Sequence, residues 1–155
     1  MRLYCLRHGE AEADLVDHDR ILNEQGRLDV SRLGERLAQL DVHINKIYHS
    51  GVVRAEQTAQ IIAEKLKFTS DLTVMPELFG GGGIALIADM IQHWQDDSLL
   101  VSHMPFVSEL VSYLVTGQSH QTLMAFPPAT LALLERVKPG IWRLLSILPP
   151  SVLVK

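Results

Sequence analysis

Arg7, His8 and Gly9 close an apolar run that begins at Leu3. A strand ending this way presents a guanidinium and an imidazole at the open edge of a sheet, and the glycine lets the backbone turn sharply beneath them. An imidazole beside a fixed cation is suited to attack an anion, and phosphate is the anion that best fits such a pair. Two later segments offer residues of the same kind. One is His49-Ser50-Gly51 followed by Arg54, and the other is Ser102-His103. Taken singly, each also reads as an ordinary polar strand end, and a three-letter motif does not decide between the two.

Residues so far apart in the chain need elements that bring them together. Apolar runs of strand length alternate with amphipathic stretches. Strands are expected at 3–6, 44–48, 72–75 and 99–101, and helices at about 24–40, 52–66, 84–94 and 107–115. Asn23 is placed to cap the first helix. Four glycines at 80–83 read as a flexible loop near the site. Two β-type runs, 130–137 and 141–148, flank Pro139-Gly140 and read as a hairpin. This alternation implies an α/β protein, a three-layer α/β/α sandwich. Its central sheet is mostly parallel, with an antiparallel edge strand supplied by the C-terminal hairpin.

In such a sheet, ligands bind beyond the carboxyl ends of the strands. Three of the expected strands end at histidine-bearing segments, so these segments should meet at one edge. Arg54 falls in the first turn of the helix after Ser50, where free N–H groups and the helix dipole favour an anion. A phosphate there would meet Arg7, His8, Arg54 and His103, with Gly9 and Ser50 beside it. Two histidines and Glu10 are also a metal-type donor set, but Arg7 and Arg54 would repel a divalent cation, so no metal is expected. Strand alternation turns His49 to the opposite face, in a structural role. His18, His43, His93 and His120 fall in polar loops or on helix surfaces and are expected to be solvated. Trp94 and Trp142 are expected in the core or at its rim.

Composition bounds the rest. A chain of 155 residues, 47% hydrophobic and 21% charged, is expected to form a single catalytic domain over 1–155. Its net charge of −4 gives no electrostatic support for nonspecific nucleic-acid binding. Any phosphate site is then a local cationic cluster in an acidic protein. The single cysteine, Cys5, has no internal partner and is expected in the core. No signal-peptide pattern and no apolar stretch of membrane-spanning length is present, so a cytoplasmic protein without membrane contact is expected. The tail 149–155 either packs over the sheet or approaches the site.

Together these segments resemble a known family. Arg7-His8-Gly9-Glu10, the stretch Ser50-Gly51-Val52-Val53-Arg54-Ala55-Glu56-Gln57-Thr58, and Ser102-His103 resemble, in that order, the motifs of the histidine phosphatase (phosphoglycerate mutase-like) superfamily. Leu22-Asn23-Glu24-Gln25-Gly26 is similar to its Leu-Thr-x-x-Gly helix entry, with Asn in place of Thr. Met75-Pro76-Glu77-Leu78, Ser102-His103-Met104-Pro105 and the short length are similar to its small bacterial phosphohistidine phosphatases.

The resemblance implies His8 as nucleophile, Arg7, Arg54 and His103 as phosphoryl-binding groups, a phosphohistidine enzyme intermediate, and no metal or other cofactor. Larger relatives protonate a leaving alkoxide with a carboxylic acid, and the corresponding insertion is absent here. Glu77, just before the glycine run, is the best remaining acid or else a loop anchor, and Glu10 is another candidate. An imidazole leaving group needs less proton assistance than an alkoxide. With little sequence between Met75 and Ile84 to form a lid, the groove should admit a phosphohistidine on a protein. The expectation is a monomeric, metal-independent phosphohistidine phosphatase whose partner is a histidine-phosphorylated signalling or phosphotransfer protein. A small-molecule phosphomonoesterase of the same superfamily and an inactive phosphate-binding module remain the alternatives.

Overall fold

Leu3, Tyr4, Cys5 and Leu6 are all buried, which requires the first strand to lie inside the sheet with both faces covered. The computed structural model, which describes residues 1–14, 16–121 and 123–154, places it there. Lys155 of the expected tail and Leu15 of the loop before the first helix lie outside the described residues. In chain order the strands are β1 (Arg2–Arg7), β2 (Lys46–His49), β3 (Thr73–Val74), β4 (Ser98–Ser102), β5 (Leu131–Lys138) and β6 (Ile141–Leu148). They form one sheet in the order β3-β2-β4-β1-β5-β6. The first four are mutually parallel, and β5 pairs antiparallel with both β1 and β6. The hairpin thus contributes both strands, with β5 one position in from the edge.

Four helices cover the sheet: α1 (Glu24–Gln39), α2 (Val53–Lys65), α3 (Ile84–Gln92) and α4 (Phe106–Thr116). Val30, Leu33 and Leu37 of α1 and Ala55, Ala59 and Ile62 of α2 pack on Tyr4, Leu6, Ile47, Leu99 and Val101. Ile87 and Ile91 of α3 and Val107, Leu110 and Val111 of α4 pack on Leu3, Cys5 and Leu100 across the sheet. Strand alternation separates the two cores, because neighbouring β1 residues point to opposite faces. Burial pushes the Cys5 thiol up to about 12, so it is an inert packing group.

Several boundaries differ from the expected ones. β2 begins at Lys46 and carries on through His49, while β3 is only two residues long. β3 lies at the sheet edge with Val74 56% exposed, so there is little core to extend it. α3 stops at Gln92, and Trp94 leaves the helix to stack on Tyr48 with ring centroids 4.5 Å apart. The chain end, through the turn Pro150–Val152, packs against α1 rather than entering the site, with Leu153 against the α1–α2 core.

Candidate active site

The sheet register sets the carboxyl ends level. Arg7 pairs with Ser102 and His49 with Val101, so the residues that follow β1, β2 and β4 emerge side by side. His8 is held through its backbone from two sides. Its N–H donates to the Ser102 carbonyl, and its carbonyl accepts from the Ala129 N–H, both at 3.0 Å. The Arg7 N–H donates to the Thr130 carbonyl just before β5.

The His8 ring has a single tautomer consistent with its neighbours. Nδ1 lies 2.7 Å from the Gly9 carbonyl, which can only accept, so Nδ1 carries the proton. Nε2 lies 3.2 Å from Arg54 Nε, which can only donate, so Nε2 presents its lone pair. Burial, and then the Arg54 and Arg7 charges, outweigh the Gly9 hydrogen bond and hold His8 down at about 4. The ring is therefore neutral at ordinary pH.

Arg54, in the first turn of α2, is buried and fully engaged. Its Nη1 donates to the Asp17 carbonyl at 2.5 Å, and its Nη2 lies 3.3 Å from the Asp17 carboxylate. One turn on, the Thr58 hydroxyl donates to the Arg54 carbonyl at 2.7 Å and accepts the Gly9 N–H at 3.1 Å. Arg7 Nη1 donates to the Phe126 carbonyl at 2.8 Å, while its buried Nε has no partner among the described residues. Burial and the Arg54 charge lower the Arg7 guanidinium from its usual value.

His103 completes the group. Its Nε2 lies 2.5 Å from the Ser50 hydroxyl, and its buried Nδ1 has no partner among the described residues. Burial, followed by His8 and Arg54, holds it down at about 3. The His8 and His103 rings are 5.1 Å apart, and Phe79 meets His103 edge-on at 5.1 Å. A cleft of about 420 Å³ opens beside them, with Asp17, Arg54 and His103 on one side and Phe79, Met104 and Glu109 among its other walls. His103 Nδ1, beside this cleft, and Arg7 Nε, at the neighbouring strand end, are two buried polar atoms suited to bonding an anion.

Residues 3–79 match the model of the histidine phosphatase superfamily (branch 1). The phosphohistidine phosphatase SixA of Escherichia coli (strain K12) is 33% identical over 125 residues, which cover 77% of each chain. This chain belongs to the histidine phosphatase superfamily. A solved structure of the protein histidine phosphatase SixA complexed with tungstate superposes with a TM-score of 0.91 at 27% identity, covering 99% of this chain and 100% of that one. A mycobacterial glucosyl-3-phosphoglycerate phosphatase shares the fold alone, with a TM-score of 0.72 at 18% identity over 92% of this chain and 96% of that one.

Within this superfamily fold, Arg7, His8, Ser50, Arg54 and His103 gather at one point, and other expected residues fall elsewhere. Gly9 is neither a turn residue nor a free anion donor. It has no positive φ, its N–H is given to Thr58, and a Cβ there would come within 2.9 Å of the Gly26 carbonyl and Val30. It is glycine so that α1 can approach the end of β1. Ser50 touches His103 rather than standing free. Glu77 is half-buried in the short turn Pro76–Phe79, and neither it nor Glu10 lines the cleft. His49 is buried and accepts the Gly51 N–H on Nδ1. His18, expected to be simply solvated, is exposed but lies against the Phe79 ring at 5.2 Å. His43, His93 and His120 are exposed. Among the described residues, no three His, Cys, Asp or Glu side chains are grouped to hold a metal ion.

Asp17, Thr58, Phe79 and Glu109 were not anticipated at the site. Thr58 had a usable signal, since four residues separate it from Arg54 on one helix face. Asp17 sits in a short 3-10 turn without periodicity, and only the folded chain brings it to Arg54.

Proposed function

We propose that this protein is a phosphohistidine phosphatase, in which His8 takes the phosphoryl group from a histidine-phosphorylated protein. The observation that carries the reading is the His8 ring: neutral, with its proton fixed on Nδ1 and its Nε2 lone pair turned to the site. The 33% identity to SixA over most of both chains supports the substrate class.

In this reaction Nε2 attacks phosphorus in line as the bond to the leaving nitrogen breaks. Arg54 exchanges its contacts to His8 and Asp17 for phosphoryl oxygens. Arg7 Nε and His103 Nδ1, both unpartnered among the described residues, are free to bond the same oxygens. Three side chains thus meet the charge that shifts onto those oxygens, and they do so within a buried setting that strengthens each contact. Water then attacks the phosphohistidine enzyme and releases phosphate. No step calls for a metal, because the arginines supply the positive charge. No helix among the described residues is long and apolar enough to cross a membrane. The proposal includes a monomer acting in the cytoplasm as a single domain.

The test is turnover of a phosphohistidine protein together with trapping of a labelled phosphoenzyme. H8A should lower turnover by roughly 10⁴-fold or more and abolish trapping. Undiminished turnover in H8A would overturn the mechanism. Faster hydrolysis of sugar or nucleotide monophosphates than of the phosphohistidine protein would favour a small-molecule phosphomonoesterase instead.

A further inference from the structure

The cleft beside His8 holds two carboxylates in different situations. Asp17 is occupied, 3.3 Å from Arg54 Nη2 and 3.7 Å from Arg20 Nη1. Glu109, in the first turn of α4, lines the same cleft half-buried and makes no side-chain hydrogen bond or ion pair with the described residues. The surrounding walls are aromatic or aliphatic, from Phe79, Ile84, Met104, Pro105 and Phe106. No hydroxyl or amide side chain lines the cleft among the described residues. A sugar would lay several of its hydroxyls on apolar wall there, beyond the few that Asp17, Arg54 and Glu109 can bond, at a cost. A flat ring with a single N–H would not. His103, 5% exposed and with Nδ1 unpartnered among the described residues, stands between this cleft and His8.

We propose that Glu109 is the leaving-group residue of this site, its carboxylate accepting the N–H on the ring nitrogen of the substrate phosphohistidine that does not carry phosphorus. This rests on the phosphohistidine reading above.

The chemistry explains why a carboxylate belongs there. As His8 Nε2 forms its bond to phosphorus, the substrate P–N bond breaks and its electron pair stays on the departing nitrogen. When the other ring nitrogen carries a proton, the departing group is neutral imidazole. Without that proton, an imidazolate must leave, which is a far stronger base. A carboxylate facing that N–H keeps the proton on the ring. His8 has the equivalent arrangement for the second step: its Nδ1–H donates to the Gly9 carbonyl, so it departs neutral when water takes the phosphoryl group. The charged or titratable groups that line the cleft with Glu109 are Asp17, Arg54 and His103, the last held neutral.

The experiment compares wild type, E109Q and E109D on a short peptide carrying phosphohistidine, from pH 5.5 to 8.5, with inorganic phosphate binding measured by calorimetry. E109Q should lose about tenfold or more in kcat/KM at pH 8. The loss should fade towards pH 5.5, where an imidazole with an ordinary pKa of about 6.5 carries the proton unaided. E109D should recover part of the rate, and phosphate affinity should stay within about threefold in both variants, since Glu109 is placed on the leaving-group side. A loss that does not vary with pH, no loss at all, or a collapse of phosphate affinity overturns the assignment. Wild-type protein that hydrolyses p-nitrophenyl phosphate but not the phosphohistidine peptide overturns the substrate reading itself, and Glu109 with it. Wild-type turnover of the peptide with an unaffected E109Q overturns Glu109 alone.

Discussion

The two helical layers treat the site in opposite ways. The α1–α2 layer is drawn tightly against the sheet. Asn23 caps α1 by accepting the Gly26 N–H at 2.8 Å, and a Cβ on Gly26 would sit 2.0 Å from the Glu10 carbonyl oxygen. At the α1–α2 crossing, a Cβ on Gly34 would come within 2.8 Å of the Lys65 side chain. The α3–α4 layer has an open glycine loop before α3 and a cavity of about 600 Å³ between α3, α4 and the β5–β6 turn. The close-packed layer supplies Arg54, which bonds the His8 ring, and Thr58, which bonds the Gly9 N–H beside it. The roomier layer supplies Phe79, Phe106 and Glu109 around the cleft. Phosphoryl transfer rewards donors fixed to within a fraction of an ångström, whereas a protein-borne leaving group needs room to enter. The division of labour follows from that difference.

Breaking the tight layer should cost most. R54Q removes the donor to His8 Nε2 and should lower kcat/KM by about 10²- to 10³-fold, with phosphate binding weakened in parallel. Steady-state kinetics and calorimetry read both, and a change in KM alone would show that Arg54 acts only in binding. G26A comes next. Its Cβ has nowhere to go except into the Glu10 backbone, two residues from His8, so stability should fall by about 3 kcal/mol. Thermal unfolding should show this as a drop in Tm of roughly 6–12 °C. An unchanged Tm would mean that the α1 approach is not tight.

Protonation tests the strand ends between the two layers more gently. His8 and His103 are held at about 4 and about 3 in the folded protein, below the unfolded value of about 6.5. Between those values the unfolded chain binds more protons, so stability rises with pH and is complete above about 6.5. It should be lost progressively as pH falls from about 6.5 towards 4. Urea midpoints measured across that range should decline, and less steeply in H8N, which lacks one of the two groups. A parallel decline in both proteins would place the titrating groups elsewhere.

The smallest effect belongs to the loose layer. Gly81 has no positive φ, and no atom lies within 4 Å of where its Cβ would be. G81A should shift stability by no more than about 0.5 kcal/mol and turnover by less than about twofold. A large loss of turnover with unchanged Tm would show that the glycine run moves during the cycle and that openness is not its whole role.

What could be read from the sequence follows the same divide. β1 was visible because apolar residues stop at Arg7 and His8, and α1 because Asn23 precedes a helical apolar pattern. Arg54 was visible from its place in the first turn after Ser50. All are local signals. Gly9 was assigned the wrong physics, since a turn and a close approach call for the same residue, and only the packed α1 tells them apart. Asp17 carries no periodicity that predicts its pairing with an arginine far along the chain. Glu109 looks in the sequence like a solvated helix residue, and its meaning comes from the cleft it faces. β3 was over-extended because hydrophobic residues near 72–75 are drawn partly into the turn that follows rather than into the sheet.

The hydrogen bond from the Ala129 N–H to the His8 carbonyl has a consequence for how the protein is made. His8 is synthesised before β5, and its carbonyl is bonded only when the segment at Ala129 arrives, more than a hundred residues later. Until then one of the two backbone bonds at His8 is unmade, since contacts of such long sequence separation form late. Folding of the segment around Ala129 is thus the step at which the His8 backbone becomes held from both sides.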